Sequence, residues 1–114
     1  MTGDETTMVA VGVRSVAEVF AALEEANGRR PPWTRYEYGV VGAYRWAVGA
    51  QVGGPVTAAA AVGAVGPCRA QLLAEFQAAA VEIRAGAGRE VDADYALGAY
   101  GALAWICGHH EEQP

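Results

Sequence analysis

One pattern of residues occurs twice, and it restricts the fold more than any other feature of the chain. Tyr36, Gly39, Gly42, Ala43, Trp46 and Gly49 recur as Tyr95, Gly98, Gly101, Ala102, Trp105 and Gly108, each displaced by the same interval (95 − 36 = 59). Offsets of 0, 3, 7 and 10 from the tyrosine fall on one face of an α-helix turning about 100° per residue. The glycine at offset 6 widens that face. The closing glycine stands where a helix ends, because it accepts a left-handed backbone. The spacing predicts two helices of about fourteen residues, each with a face that is large at its ends and small in its middle.

Glycine inside a helix costs about 1 kcal/mol relative to alanine. Gly39, Gly42, Gly98 and Gly101 therefore need an offsetting contact. Close approach of another helix backbone at the notch supplies one, with Tyr and Trp packing on either side. Leucine at Gly42 or Gly101 is then expected to cost several kcal/mol.

The rest of the chain reads as what surrounds this pair. Residues 1–7 are polar and expected to be disordered. The apolar run 8–13 reads as an extended segment that packs on the helices or pairs across a dimer. Ser15 and Glu18 have capping-box spacing, and Val16, Val19, Phe20 and Leu23 follow as an apolar face that Gly28 ends. After the stiff connector Arg29-Arg30-Pro31-Pro32, Thr34 and Glu37 repeat the capping-box spacing and open the helix of the first motif. Gly53, Gly54 and Pro55 break the linker, in which Thr57 can cap a short turn over 58–61. Pro67 suits the first position of a third helix, with Leu72, Leu73, Phe76, Ala79, Ala80 and Ile83 inward and Glu75, Glu82 and Arg84 outward. Gly86 and Gly88 end it, and Asp92 or Asp94 caps the helix of the second motif. Phe20 and Phe76, each followed by small residues, extend the repeat backwards. These readings give one all-α domain over 1–114, a four-helix bundle-like fold made by duplicating a helical hairpin, with internal pseudo-two-fold symmetry. The hairpins span 15–49 and 67–108, joined by a linker at 50–66 and followed by a tail at 109–114.

Composition narrows the function. The chain is 53% hydrophobic and 18% charged, which suits a packed fold and an apolar oligomer interface. Its net charge is −5, and all eight basic residues are arginine. That balance argues against direct nucleic-acid binding and against an anionic membrane surface. The uncharged stretch 46–68 is long enough to span a bilayer, but it lacks Leu, Ile and Phe and is broken by Gly53-Gly54-Pro55, so no membrane span is expected. Cys68 and Cys107 have no CxxC spacing and no secretory signal accompanies them, which points to reduced thiols and a cytoplasmic location.

Candidate sites lie where the two copies differ. Arg35 precedes the first tyrosine and Asp94 the second; Tyr44 and Arg45 correspond to Leu103 and Ala104. A cation at a helix start is unfavourable unless it helps to hold an anion there. Arg29, Arg30, Trp33, Arg35, Tyr36 and Tyr38 form a basic-aromatic cluster of the kind that dominates protein interfaces. All of these but Tyr36, together with Tyr44 and Arg45, make up the expected partner- or ligand-binding set. The bland reading is that Trp33 staples the helix start and the arginines are solvated. Cys107, His109, His110 and Glu111 gather ligand types in no zinc spacing, so neither metal nor cofactor is expected. No nucleophile–base arrangement or phosphate loop is visible. Glu37 and Glu75 could face each other across a bundle, but helix-start and surface roles explain both. The chain thus reads as a small, non-catalytic protein-interaction or regulatory module with a protein partner, self-associating into a homo-oligomer. A second reading is a small-ligand binder or enzyme with a pocket between the motif helices, lined by Tyr36, Tyr44, Trp46, Tyr95, Tyr100 and Trp105. A third is an acidic decoy of a nucleic-acid-binding protein.

Overall fold

In a computed structural model, which describes residues 10–11, 13–57, 67–85 and 93–114, the chain is mostly helical. It runs β1 (Ala10–Val11), β2 (Arg14–Ser15), α1 (Val16–Asn27), α2 (Arg35–Ala47), α3 (Arg69–Ala85) and α4 (Ala93–Ile106). The expectations for 1–7, for a turn at 58–61 and for Gly86, Gly88 and Asp92 lie outside the described residues.

The starts of α1 and α2 follow from their first residues. Ser15 Oγ accepts the Glu18 N–H at 3.1 Å, and the Glu18 carboxylate accepts the Ser15 N–H at 3.0 Å. Thr34 and Glu37 do the same at 3.1 and 2.9 Å. The backbone N–H of Ser15 holds the Glu18 carboxyl below the usual glutamate range, and that of Thr34 does so for Glu37. Ser15→Ala is expected to cost about 1 kcal/mol by urea denaturation at neutral pH, and Thr34→Ala to act in the same direction. Both folded-state pKa values are depressed, so this stabilisation is full above the ordinary glutamate pKa and is lost as pH falls through the lowered values. Because the backbone N–H donors survive in the Ser15 and Thr34 variants, this pH-dependent part is read in Glu18→Ala, whose deficit against the wild type should shrink in acid; a deficit that grows there would contradict the assignment.

Two helices end on left-handed glycines, Gly49 at φ 81° and Gly108 at φ 83°. The Gly49 and Gly108 N–H groups donate to Trp46 and Trp105 carbonyls at 3.1 Å, and Ala50 and His109 donate to Arg45 and Ala104 at 2.8 Å. This is a Schellman closure at both ends. Gly28 ends α1 without leaving the right-handed region, at φ −80°. α3 begins at Arg69 rather than at Pro67, because the Gln71 side chain accepts the Cys68 N–H at 3.2 Å and so closes the helix start from inside. Asp94 lies within the first turn of α4, where its charge suits the helix dipole.

The extended segment finds its partner within the chain. β1 pairs antiparallel with β2, Ala10 opposite Ser15 and Val11 opposite Arg14. This hairpin closes the far end of α4. The Val13 N–H donates to the Ile106 carbonyl at 2.9 Å, and Arg14 Nε donates to the Trp105 carbonyl at 2.9 Å. Arg14 also donates to the His110 carbonyl at 2.9 Å and stands 4.9 Å from the Trp105 ring centre. Carbonyls at a helix end lack the partners of a next turn and carry the negative end of the dipole, so a guanidinium there answers both needs.

α2 and α4 share the largest interface, α3 packs on α4 and α1 packs on α2. The central contact is made by glycine. A Cβ on Gly39 would run into the Tyr95 carbonyl oxygen and lie 2.9 Å from the Ala99 nitrogen. A Cβ on Gly98 would run into the Tyr36 carbonyl oxygen and lie 3.1 Å from the Val40 nitrogen. At Gly42 and Gly101 the neighbours are side chains: the Tyr95 hydroxyl at 2.9 Å and the Tyr36 hydroxyl at 3.3 Å. The tightest notches are thus one turn earlier than Gly42 and Gly101. Val40, Ala43, Tyr44 and Trp46 of α2 and Ala99, Ala102, Leu103 and Ile106 of α4 fill the core. The Cα radius of gyration is 13.8 Å, close to the value of about 13 Å for a compact chain of this length.

The outer helices bury narrower stripes than their sequences suggest. α1 buries Val19, Ala22, Leu23 and Ala26, while Phe20 lies beside that stripe and is exposed. Phe20 and buried Phe76 are therefore not equivalent. In α3, Leu72, Phe76 and Ala79 face inward, Leu73 is exposed, and Ala80 and Ile83 are half-buried. Glu75, expected outward, is 2% exposed. Its carboxylate accepts the Val56 N–H at 2.5 Å, the Thr57 N–H at 3.0 Å and the Thr57 hydroxyl at 2.7 Å. The polar residue is inside because a loop brings it three donors.

Candidate functional site

Residues 35, 38, 42 and 45 lie along one face of α2, beside the contact with α4. Together with Trp33, Val41, Gln51 and Tyr95 they line a surface cleft of about 210 Å³. Trp33 is fixed by its Nε1, which donates to the Arg29 carbonyl at 2.9 Å, and it meets Tyr38 edge-on at 5.2 Å. Arg35, the first residue of α2, stands 5.3 Å from the Tyr95 ring centre and 5.8 Å from that of Tyr38. Arg45 is in the last turn, where the helix dipole favours a cation. The cleft thus combines two guanidinium groups, three aromatic rings and one amide. Such a set can receive a carboxylate together with the apolar stem that carries it.

Four of the seven residues singled out in the sequence, Trp33, Arg35, Tyr38 and Arg45, come together here. The other three do not. Arg29 pairs with Glu37 at 3.6 Å and donates to a Pro114 oxygen at 3.2 Å, tying the start of α2 to the last residue. Arg30 is exposed but does not line the cleft. Tyr44 is 1% exposed and meets Trp105 edge-on at 6.0 Å, so it is a core residue rather than a surface contact. Burial pushes its phenol far above the ordinary tyrosine range, with the Arg29 charge opposing, and among the described residues its hydroxyl has no hydrogen-bond partner. Position 44 faces α4, one helical face away from 45. Tyr95, Val41, Gly42 and Gln51 join the site through folding; the match of Tyr95 to Tyr36 marks it as a packing residue and carries no signal of the cleft it reaches.

The space between α2 and α4 is filled by their backbones and by Tyr44, Trp46 and Trp105, all 5% exposed or less. The six aromatics expected to line one pocket are therefore divided. Tyr95 lines the cleft just described, and Tyr36 and Tyr100 line a wider groove of about 700 Å³ on the other flank. That groove also takes in Leu97, Gly101 and the tail from His109 to Pro114. Tyr36, Leu97, Tyr100, Gly101 and His110 stand at the positions of Tyr95, Tyr38, Val41, Gly42 and Gln51 under the same 59-residue interval. The charges differ: arginines on one flank, Glu111 and Glu112 on the other.

The ligand-type residues of the tail are engaged in packing. His109 stacks against Phe76 with centroids 4.8 Å apart, Phe76 stacks on Tyr100 at 4.9 Å, and His110 meets Tyr100 edge-on at 6.2 Å. Among the described residues no group of three or more His, Cys, Asp or Glu could hold a metal ion. Cys68 and Cys107 are free thiols, and burial raises the Cys107 pKa against the pull of Arg69. Glu37 and Glu75 do not face each other, since each is held by its own loop. Among the described residues no helix is long and apolar enough to cross a membrane. Compared with protein-family models, with curated proteins and with solved structures, the chain finds no match.

Proposed function

We propose that this chain is a small, non-catalytic protein-interaction module that holds an acidic segment of a protein partner in the Trp33–Arg35–Tyr38–Arg45 cleft. The observation that carries the reading is the gathering of Arg, Trp and Tyr around one surface depression. These are the residue types that supply most binding energy at interfaces. At about 210 Å³ the cleft suits one or two side chains rather than a whole cofactor, whose sites run from about 300 Å³ upwards. The net charge of −5 repels nucleic acids, while the local arginines favour an acidic side chain. Self-association and a cytoplasmic setting belong to the same reading.

We also read the chain as a duplicated helical hairpin with pseudo-two-fold symmetry. Supporting it are the alternating contacts of Gly39 with Tyr95 and Gly98 with Tyr36, and the matching closures at Gly49 and Gly108. The interval also carries Pro55, against Gly42, onto Pro114, against Gly101. On this reading the two flanks descend from one surface, and one of them acquired cations.

Affinity capture from the native host with the wild-type chain and with Tyr38→Ala/Arg45→Glu tests the cleft. A partner identified by mass spectrometry is expected to bind the variant at least about tenfold more weakly, equivalent to about 1.4 kcal/mol, and to bind the wild type less tightly as salt rises. Undiminished binding by a variant with an unchanged circular-dichroism spectrum would remove the cleft from the interface.

A further inference from the structure

We propose that a second copy of this chain docks, across a two-fold axis, on the groove that runs from the end of α3 over α4 to the C-terminal tail. The inference rests on the self-association included in the reading above and names its surface. Two depressions meet at Leu97 and Tyr100. One, of about 360 Å³, reaches Arg84; the other, of about 700 Å³, reaches Glu111 and Glu112. The shared centre is apolar and open: Leu97 is 45% exposed. The ends carry opposite charges, Arg84 at one and the two glutamates at the other.

This arrangement is complementary to itself. A two-fold axis through the centre turns the groove end for end and sets the Arg84 of each copy against Glu111 and Glu112 of the other. It also covers both Leu97 side chains at once. An isologous contact requires a patch that fits its own rotated image, and an apolar centre with a charged rim is the usual anatomy of such an interface. A groove bearing one sign of charge along its length would repel its copy. The arginine cleft on the opposite flank is left clear for a different partner.

Sedimentation of the full chain over a wide concentration range tests the proposal. The wild type is expected to be a concentration-dependent dimer. Leu97→Asp, at an exposed position, is expected to weaken dimerisation at least tenfold with an unchanged helical spectrum. Arg84→Glu is expected to weaken it too, and Arg84→Glu combined with Glu111→Arg and Glu112→Arg to restore it. A wild type that stays monomeric throughout overturns both this proposal and self-association, and leaves the acidic-partner reading of the cleft standing. A dimer indifferent to Leu97→Asp overturns the groove alone and places self-association on another surface. Loss on Arg84→Glu without rescue by the swapped charges overturns the two-fold pairing.

Discussion

Replacing Gly98 by alanine is expected to destabilise the chain by about 3 kcal/mol or more. On an exposed helix the same change would be favourable by roughly 0.5–1 kcal/mol, because alanine is the better helix former. Here the new methyl group meets the Tyr36 carbonyl oxygen, and its next neighbours are also backbone, the Tyr36 carbon at 2.8 Å and the Val40 nitrogen at 3.1 Å. Backbone within a helix cannot rotate aside as a side chain can. α2 and α4 would have to part, loosening the largest interface in the molecule. Gly39→Ala is expected to behave alike, since its Cβ meets the Tyr95 carbonyl. Gly101→Ala is the control: its nearest neighbour is the Tyr36 hydroxyl at 3.3 Å, at the tip of a side chain, so a change within about 1 kcal/mol in either direction is expected. Urea denaturation of the three variants decides the matter. Equal, small effects at 98 and 101 would mean that the helix backbones do not touch.

The second large effect is expected at Glu75. Glu75→Ala should cost about 3 kcal/mol, because it removes the carboxylate that accepts the Val56 and Thr57 N–H groups and the Thr57 hydroxyl and leaves a cavity in its place. Glu75→Gln should cost less. Its amide oxygen can still accept both backbone donors, and the Thr57 hydroxyl can turn to accept from the amide nitrogen. Gly54 is part of the same arrangement: a Cβ there would lie 2.6 Å from the carboxylate, so the loop can wrap it only with glycine at that position. Hydrogen exchange gives the local readout. In Glu75→Ala the Val56 and Thr57 amides should lose protection beyond the change in global stability; unchanged relative protection would mean that the carboxylate does not hold the loop.

These two cases mark how far the sequence could be read. Gly98 stands out in the sequence because its spacing from Tyr95 and Trp105 gives it a helical phase, and a repeated glycine at one phase calls for a contact. The depth of that contact could not be ranked, since Gly39 and Gly42 are both on the face and only the crossing point of the helices separates backbone neighbours from side-chain ones. Glu75 reads as outward in the sequence because a charged residue defaults to solvent. The default fails when a distant segment delivers donors, and Val56 and Thr57 are nineteen and eighteen residues away. The candidate site shows the same division. Trp33, Arg35 and Tyr38 are sequence neighbours at a helix start and stand out as a cluster. Arg45 joins them because it shares their helical face; Tyr44 leaves them because it does not, a difference of one residue in phase.

The sequence by itself determined the helices, the capping boxes that start α1 and α2, the glycines that end α2 and α4, and which two helices carry the small-residue faces. All of these are set by interactions within a few residues: a hydroxyl reaching the third amide, a glycine taking a positive φ, a period of 3.6. Only the tertiary structure decided what those faces touch. It took the packing of α2 on α4 to bring Tyr95 beside Arg35, to send Arg14 to the end of a helix ninety-one residues away, and to divide six aromatics between a core and two flanking surfaces. Contacts of that range depend on how helices cross and which loop closes over them, and no local spacing encodes either.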